Sequence, residues 1–191
     1  MADYIVPAAS GESEYTEKRS VFLGYVSMVE NEQQAKDFIA QIKKKHHDAR
    51  HNCWCYIIKD GPERYSDDGE PQGTAGIPMI EVFRKEGVTN VVCVVTRYFG
   101  GILLGAGGLL RAYTKAAKSA LDNAGTKSII PVTSVSVKCP YSDYDSYKSI
   151  VTSYGGTIDN VLYGENITLE ISLPDLVVEE FTKKYLWKNE F

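Results

Sequence analysis

The chain has 191 residues, a formal net charge of −4, 43% hydrophobic residues and 24% charged residues, a balance typical of a globular protein. Because the net charge is negative, the chain as a whole is not attracted to polyanions, and any affinity for nucleic acid must come from a local patch. No apolar run approaches the roughly 20 residues that span a bilayer, and the N-terminal sequence lacks a signal-peptide pattern. We therefore expect a cytoplasmic protein without a membrane partner.

The first part of the chain alternates predicted strands and helices. A polar arm precedes residues 20–28, whose apolar, β-prone sequence SVFLGYVSM predicts a strand. Asn31 can cap the following helix, with Gln34 completing a capping box. Residues 52–59, NCWCYIIK, predict a second strand that ends at the Asp60-Gly61-Pro62 turn. The apolar stripe of the intervening helix recurs at helical spacing: Ala35, Phe38, Ile39 and Ile42.

A polar loop and a buried strand follow. Residues 66–76, SDDGEPQGTAG, carry three carboxylates and three glycines. Thr74 is predicted to cap a short helix that has Pro78 in its first turn and ends before Gly87. Residues 90–96, NVVCVVT, are almost entirely apolar, which favours a central strand covered on both faces.

The last part of the chain predicts a second domain. A long helix over residues 106–123 ends at Gly125, and residues 125–132 predict a linker. Beyond it the pattern is strand, helix, two hairpin strands and helix, which lacks one strand of a ferredoxin-like unit. We therefore predict an α+β protein of two domains, residues 1–126 and 127–191, in which either the last strand of the second domain is missing or the C-terminal end is truncated. The elements of that domain are strands over 132–139, 157–163 and 167–173, a helix ending at 155–156, and a helix from 174 to about 185.

The four cysteines lie in apolar, strand-like runs, at positions 53, 55, 93 and 139. They are typical of reduced, small core residues in a cytosolic protein. Cys53 and Cys55 lack the spacing and the second ligand pair of a structural zinc site, in spite of the nearby His46, His47 and His51. We expect no metal and no cofactor.

The predicted long helix is strongly basic on one side. Arg111, Lys115 and Lys118 project within roughly 60° of one another. From Arg84 to Lys118 the chain carries six cations and one carboxylate, a local charge of +5. Such a patch favours phosphates, with an affinity that falls as salt rises; the alternative is an ordinary solvated helix face. The opposite, buried side is predicted to hold Leu109, Leu110, Tyr113, Ala116, Ala117, Ala120 and Leu121.

A glycine-rich loop leads into this helix. Gly100, Gly101, Gly105, Gly107 and Gly108 allow the backbone to approach a ligand, and the last two lie at a helix N-terminus, which favours anions. The spacing matches neither a P-loop nor the dinucleotide fingerprint. The alternative is that these glycines only permit a tight turn and close packing of the helix on a sheet.

The polar loop of residues 66–76 contains a candidate secondary site. Asp67, Asp68 and Glu70 have the chemistry to bind a divalent cation, or to supply a base beside His51. The order of these residues does not match an EF-hand. Turn formation explains the Asp-Gly pattern equally well, so a structural or partner-binding loop is the alternative.

Three sequence blocks together resemble one family. They are His51-Asn52-Cys53, SDDGEPQGTAGIP over 66–78, and VVTRYFGGILLGAGGLLRAY over 94–113. These blocks closely resemble the IMPACT family, and the arginine, tyrosine and glycine string of the third block is a specific motif. The remainder of the chain resembles the small ferredoxin-like domain of bacterial members.

The resemblance implies an N-terminal fold like the βαβ domain IV of translational elongation factors, and a C-terminal domain like the next domain of those factors. It also implies a role around translation. Eukaryotic relatives are translational regulators that bind the activator of a stress kinase, which bacteria lack. For bacterial members the biochemical function is not established, and RNA or ribosome binding is the usual proposal. Some have been labelled proline dipeptidases, but this sequence has nothing resembling the metal ligands of such an enzyme.

Three functional hypotheses follow. The leading one is a module that binds RNA or the ribosome, in which Arg97, Arg111, Lys115 and Lys118 contact phosphates and Tyr98 or Phe99 stacks on a base. The second is an enzyme or small-anion binder that combines the glycine-rich loop with His51, Asp67, Asp68 and Glu70. The third is an adaptor whose basic patch binds an acidic protein partner in translation control.

Overall fold

The computed structural model describes residues 3–186, which fold into two compact units. One unit is Tyr4–Ser128, and the other begins at Ile129. Helices and strands occur in both, which confirms the expected two-domain fold of mixed secondary structure. Among residues 3–186, no helix combines the length and the apolar character that crossing a membrane requires.

The first unit contains a five-stranded antiparallel sheet with the strand order β2-β3-β6-β4-β5. A separate pair joins β1 to β7. The elements in chain order are β1 (Tyr4–Pro7), β2 (Gly11–Glu17), β3 (Ser20–Met28), α1 (Glu32–Lys45), β4 (His51–Ile57), β5 (Glu63–Ser66), α2 (Gly76–Lys85), β6 (Val91–Tyr98), α3 (Ala106–Ala124) and β7 (Thr126–Ile129).

The central strand β6 is covered on both faces, as its apolar sequence predicts. Val91, Cys93 and Val95 belong to the core cluster that contains α2 and α3. Val92 and Val94 belong to the cluster that contains α1. Because side chains alternate along a strand, a strand that is buried on both sides reads as a continuous apolar run.

Helix α3 packs closely on the sheet because small residues meet at the contact. A Cβ added at Gly24 of β3 would lie 2.7 Å from the carbonyl oxygen of Ala116. One added at Gly11 of β2 would lie 2.2 Å from the carbonyl oxygen of Ala120. A side chain at either position would therefore force the helix away from the sheet. The buried face of α3 comprises Leu109, Ala112, Tyr113, Ala116, Ala117, Ala120, Leu121 and Ala124.

Leu110 does not belong to that face. It was expected among the buried residues of the long helix, but its side chain is 46% exposed. The expectation was wrong because the alanine-rich contact is narrow. Only positions that point directly at the sheet are covered, and Leu110 lies at the margin of the apolar stripe.

Two expectations about local structure were wrong in the first unit. The polar N-terminal arm contains β1 and β2, and the segment interpreted as a linker contains β7. β2 has the sequence GESEYTE and is an edge strand whose polar side chains face outward, so it lacks an apolar run. β5, which follows the turn at residues 60–62, is also a short, exposed edge strand.

The two predicted helix caps had different outcomes. Asn31 caps α1 as expected, since its side chain accepts a hydrogen bond from the N–H of Gln34 at 2.9 Å. The side chain of Gln34 accepts from the N–H of Glu30 at 2.8 Å, one residue before the cap. Thr74 does not cap α2, because its hydroxyl donates to the carbonyl of Pro71 at 2.6 Å.

The second unit has a three-stranded antiparallel sheet with the order β8-β10-β9. Its elements are β8 (Val132–Cys139), a single 3-10 turn (Tyr141–Asp143), α4 (Tyr144–Ser153), β9 (Thr157–Tyr163), β10 (Ile167–Pro174) and α5 (Asp175–Tyr185). This order matches the predicted strand, helix, two strands and helix. The prediction about a final strand concerns the chain after α5, where positions 187–191 lie outside the described residues.

Candidate functional site

A cleft of about 400 Å³ lies at the end of β6 where the glycine-rich loop leads into α3. Its polar base contains His51, Glu70 and Arg97, and Arg50 lies at its side. His51 and Arg97 are brought together by the sheet, because they are directly paired in the register of β4 and β6. Directly paired residues on antiparallel strands point to the same face, which here is the face that carries α2 and α3.

Arg97 and Glu70 form a buried ion pair at the base of this cleft. Arg97 is 5% exposed and Glu70 8% exposed, and Nη1 of Arg97 donates to Oε1 of Glu70 at 2.7 Å. The hydroxyl of Tyr113 on α3 donates to the same oxygen at 2.8 Å. Burial raises the pKa of Tyr113, with the neighbouring Cys53 and Glu70 acting in the same direction. The tyrosine therefore remains protonated and keeps its donor role.

The guanidinium of Arg97 lies between two aromatic rings. Its central carbon is 5.5 Å from the ring centre of Phe22 and 5.4 Å from that of Phe99. Nη2 makes one long hydrogen bond, 3.4 Å, to the hydroxyl of Ser20. Arg97 was expected to contact phosphates, but it is buried and its guanidinium is paired with Glu70 inside the fold.

The tautomer of His51 is set by a backbone contact. Nδ1 lies 2.8 Å from the carbonyl oxygen of Asp68. A carbonyl only accepts hydrogen bonds, so Nδ1 carries the proton and Nε2 of the neutral ring is an acceptor. Nε2 is 3.9 Å from Oε1 of Glu70, beyond direct hydrogen-bond distance. His51 therefore presents a proton-accepting nitrogen at the base of the cleft.

The two aspartates of the proposed secondary site serve the loop itself. Oδ1 of Asp67 accepts from the N–H groups of Ala75 at 3.0 Å and Gly76 at 2.8 Å, and Oδ2 accepts from Gly73 at 2.8 Å. Asp67 thus caps α2 from outside the helix, in the role expected of Thr74. Of the four residues proposed from sequence for this site, the fold brings only His51 and Glu70 to the cleft.

Asp68 is held by a strand and a helix. Its Oδ2 accepts from the N–H of Asn52 at 2.7 Å, and its Oδ1 lies 2.7 Å from Nζ of Lys43. Neither aspartate has a free pair of oxygens to offer a cation. Within residues 3–186, no group of three or more histidine, cysteine, aspartate and glutamate side chains is arranged to hold a metal ion.

Tyr98 and Phe99 point to opposite sides of the sheet. The hydroxyl of Tyr98 lies 3.0 Å from Nδ1 of His46 and donates to Asp48 at 3.0 Å, on the side of α1. Phe99 is 46% exposed and lines the cleft. Successive side chains of a strand alternate between faces, so only Phe99 is placed beside the glycine-rich loop.

The glycines of the loop have distinct structural roles. A Cβ at Gly100 would lie 2.0 Å from the carbonyl carbon of Arg19, so Gly100 lets the loop pack against the β2–β3 turn. Gly105 precedes α3 with φ of 72°, a left-handed conformation that favours glycine. Gly101 also has a positive φ, 83°, with open space around it. Gly107 and Gly108 form the first turn of α3, and that turn contains no acidic residue and no side-chain cap.

The cations on α3 divide into two groups. Lys118 pairs with Glu86 at 3.2 Å and with Asp122, and the hydrogen bond to Asp122 raises its pKa. Arg111 and Lys115 form no ion pair with a carboxylate in the described part of the chain. Nζ of Lys115 lies 4.1 Å from the ring centre of Tyr15 on β2. The expected patch is therefore smaller than the sequence count of +5 indicates.

A groove joins these two cations to the β2–β3 turn. Lys18, Arg111 and Lys115 line one depression of about 220 Å³, which we call the cationic groove. Lys18 does not stand out in the sequence, because the polar sequence of β2 does not resemble a strand. A hairpin spanning residues 11–28 would have placed the turn residues Lys18 and Arg19 at the end of the sheet. Leu104 lines both the groove and the cleft, so the two lie side by side.

Comparison with known proteins places this domain in a family. The Impact N-terminal domain matches residues 18–121, more than half of the chain and the whole of the cleft. The chain belongs to the IMPACT family. A second match, to the Domain of unknown function DUF1949, covers residues 137–184. The resemblance inferred from the motif blocks is thereby confirmed.

Relatives in this family match nearly the whole chain. IMPACT family member YvyE of Bacillus subtilis is 35% identical over 189 residues, covering 98% of this chain and 86% of the relative. IMPACT family member YigZ of Escherichia coli is 35% identical over 188 residues, covering 96% and 92%. A crystal structure described as that of an hypothetical protein has a TM-score of 0.68 and 34% identity, and the match covers 96% of this chain and 91% of that one.

Proposed function

We propose that this IMPACT family protein binds RNA phosphates, on the ribosome or on RNA engaged in translation, and that it has a regulatory role there. The observation that carries the proposal is the cationic groove. Lys18, Arg111 and Lys115 converge on one depression, and none of them forms an ion pair with a carboxylate within residues 3–186. Cations that have no internal partner are available to neutralise phosphates and release their counterions.

The one carboxylate of the groove is already engaged. Oε2 of Glu17 accepts a hydrogen bond from the hydroxyl of Tyr15 at 2.6 Å. The hydrogen bond to Glu17, together with burial, raises the pKa of Tyr15. The hydroxyl of Tyr15 therefore stays protonated and continues to donate this hydrogen bond. The ring of Tyr15 lies beneath Lys115 and supports it. The groove therefore presents mainly positive charge in a protein whose net charge is −4.

Family membership supports a role around translation, because the resemblance to IMPACT proteins implies one. The groove provides cations for contacts to phosphates, and such contacts do not depend on the nucleotide sequence of the RNA. The exposed Phe99 near the same end of the sheet offers a ring on which an unpaired base can stack. An acidic protein surface is the competing partner for the same cations. Binding to intact ribosomes and binding to free RNA distinguish a protein partner from RNA.

The test is co-sedimentation of the full chain with ribosomes and subunits over a salt series. We compare wild type with the triple variant Lys18→Glu, Arg111→Glu and Lys115→Glu. The matched control reverses three lysines away from the groove, with Lys36→Glu, Lys44→Glu and Lys85→Glu. Each lost phosphate contact should lower the slope of log affinity against log salt by about one unit, so the triple variant should lose about three.

Three results contradict the proposal. The first is an unchanged salt slope in the triple variant, and the second is an equal loss of slope in the control, since the groove would then contribute nothing specific. The third comes from repeating the measurement on purified ribosomal RNA. Binding to intact particles but not to free RNA would exclude phosphate recognition and indicate a protein partner.

A further inference from the structure

The ion pair at the base of the cleft is incompletely satisfied. An arginine has five N–H donors, and a buried ion pair is stable only when its remaining donors find partners. Among residues 3–186, Nε of Arg97 is the one buried side-chain nitrogen or oxygen that has no hydrogen-bond partner. Nη2 of the same side chain makes only the long bond to Ser20. A 95% buried arginine that lines a cavity therefore keeps unused hydrogen-bonding capacity.

The opposite wall of the cleft is the N-terminus of α3. Gly105 and Ala106 line the cavity, and the N–H groups of Ala106, Gly107 and Gly108 have no partner within the helix. The first turn carries no acidic side chain, and no side chain caps it. The helix dipole adds partial positive charge at this point. This wall therefore offers several donors to one anionic group.

The balance of charge in the cleft also favours an anion. Arg50 is exposed at its side, and its main chain is held in place by a hydrogen bond from its N–H to the carbonyl of Arg97 at 3.1 Å. Glu70 is the one carboxylate that lines the cavity, and Arg97 neutralises it at 2.7 Å. Arg50 is not matched by a second carboxylate among the described residues that line the cleft.

The remaining lining is apolar and partly open. Phe99 is 46% exposed and Leu103 82% exposed, and Leu104 and Leu109 complete this side. A volume of about 400 Å³ is within the range of small-molecule sites, which combine mostly apolar walls with a few convergent polar groups. The exposed ring of Phe99 provides a flat surface for a planar group.

We propose that the cleft binds a small phosphate monoester of mononucleotide size, separately from the cationic groove. Its phosphate lies at the start of α3 and within reach of Arg50, and its planar part lies against Phe99. A phosphate is favoured over a carboxylate because of the number of donors present. Three N–H groups of the helix and one guanidinium offer more hydrogen bonds than the two oxygens of a carboxylate accept. The base of the cleft, with Arg97 and the acceptor nitrogen of His51, contacts the rest of the ligand.

The test is an NMR titration of the full, isotope-labelled chain with adenosine 5′-monophosphate, inorganic phosphate, adenosine and acetate. We expect saturable shifts of the Gly105, Ala106, Gly107 and Gly108 amide signals with the monophosphate. Inorganic phosphate should shift the same signals more weakly, and adenosine and acetate should not shift them.

The decisive variant is Ala106→Asp, which places a carboxylate in the first turn of α3. An acidic residue there suits the helix dipole, so the variant should remain folded while it repels the ligand. It should weaken monophosphate binding by about tenfold or more, whereas the neutral and similarly shaped Ala106→Asn should stay within about threefold of wild type. Arg50→Gln should weaken binding by several-fold and leave the fold unchanged.

Three outcomes overturn the proposal. The first is the absence of saturable shifts with both phosphate and the monophosphate at about 10 mM. The second is equal monophosphate binding by wild type and a folded Ala106→Asp variant, and the third is acetate binding as tight as phosphate binding. The groove variant Lys18→Glu, Arg111→Glu and Lys115→Glu should still bind the monophosphate. Loss of ribosome binding with retention of monophosphate binding, or the reverse, therefore shows which of the two sites has failed.

Discussion

Nη1 of Arg97 lies 2.7 Å from Oε1 of Glu70, and both side chains are more than nine-tenths buried. Arg97 comes from the central strand of the sheet and Glu70 from the loop that precedes α2. The pair therefore ties this loop to the core of the sheet, beneath the start of α3. Removing either charge leaves the other buried without its partner, which is more damaging than the loss of a surface ion pair.

Glu70→Gln should lower the free energy of unfolding of the first unit by about 3 kcal/mol, because the Arg97 charge stays buried. Hydrogen exchange of the β6 amides measures this unit specifically, since the strand lies at its centre. The control is Glu81→Gln, which removes an exposed partner of Arg84 and should cost less than about 1 kcal/mol. Equal effects of the two substitutions would contradict the importance of the buried pair.

Asp67→Ala should destabilise the start of α2 more than Thr74→Ala does. Asp67 accepts hydrogen bonds from three backbone N–H groups, so its loss should cost about 2 kcal/mol, at the upper end for helix caps. Thr74→Ala removes one hydrogen bond and should cost about 1 kcal/mol. Urea unfolding of the two variants checks the order. A larger effect of Thr74→Ala would mean that the capping assignment is wrong.

The stability of the protein should decrease as the pH falls below about 6.5, the ordinary histidine value. Burial lowers the pKa of His46, and the positive charge of Lys45 acts in the same direction. The unfolded chain therefore binds more protons than the folded one in the range between the lowered pKa and the ordinary value, and acid favours unfolding there. The stabilising contribution is fully present above pH 6.5 and is lost as the pH falls toward the folded-state pKa.

Two hydrogen bonds explain why the neutral ring of His46 is preferred. Nε2 lies 2.7 Å from the hydroxyl of Tyr25, and Nδ1 lies 3.0 Å from that of Tyr98, which itself donates to Asp48. Nδ1 is thus the donor and Nε2 the acceptor. NMR titration should place the pKa of His46 below the ordinary histidine value. The variant His46→Gln should lose less stability than wild type as the pH falls, because the titrating ring is gone. A His46 pKa above the ordinary value would reverse the argument.

Two glycine-to-alanine substitutions should change the free energy of unfolding in opposite directions. Gly24→Ala places a methyl group 2.7 Å from the Ala116 carbonyl and should cost about 1–3 kcal/mol. Gly107→Ala meets no atom closer than 3.7 Å inside a helix and should stabilise by about 0.5–1 kcal/mol. Thermal unfolding of both variants provides the measurement. A destabilising Gly107→Ala would show that the start of α3 tolerates no side chain at this position.

Most of the core elements were predictable because their patterns are local. The apolar run of β6, the stripe of α1 and the long helix α3 ending at Gly125 follow from periodicity and from the end signals of helices. The edge strands β2 and β5 were not predictable in this way. Many of their side chains are exposed to solvent, so their sequences are polar and resemble those of loops.

The candidate sites were predictable only in part. Arg111, Lys115 and the glycines at the start of α3 stand out in the sequence, and the cationic groove and the cleft both use this helix. Ion pairing was not visible in the sequence, because it depends on partners far along the chain. Lys118 meets Glu86, and Arg97 meets Glu70, at separations of 32 and 27 residues.

By itself, the sequence determined the family, the two-domain organisation of mixed helices and strands, and the strongly basic character of α3, because each depends on composition, motif or short-range periodicity. Only the tertiary structure decided which charges are available. The pairing of β4 with β6 places His51 beside Arg97, and the loop before α2 brings Glu70 to them. The same fold uses Asp67 and Asp68 to hold that loop. Whether a charged side chain binds a partner or supports the fold depends on its burial and its nearest opposite charge, and both are properties of the folded chain.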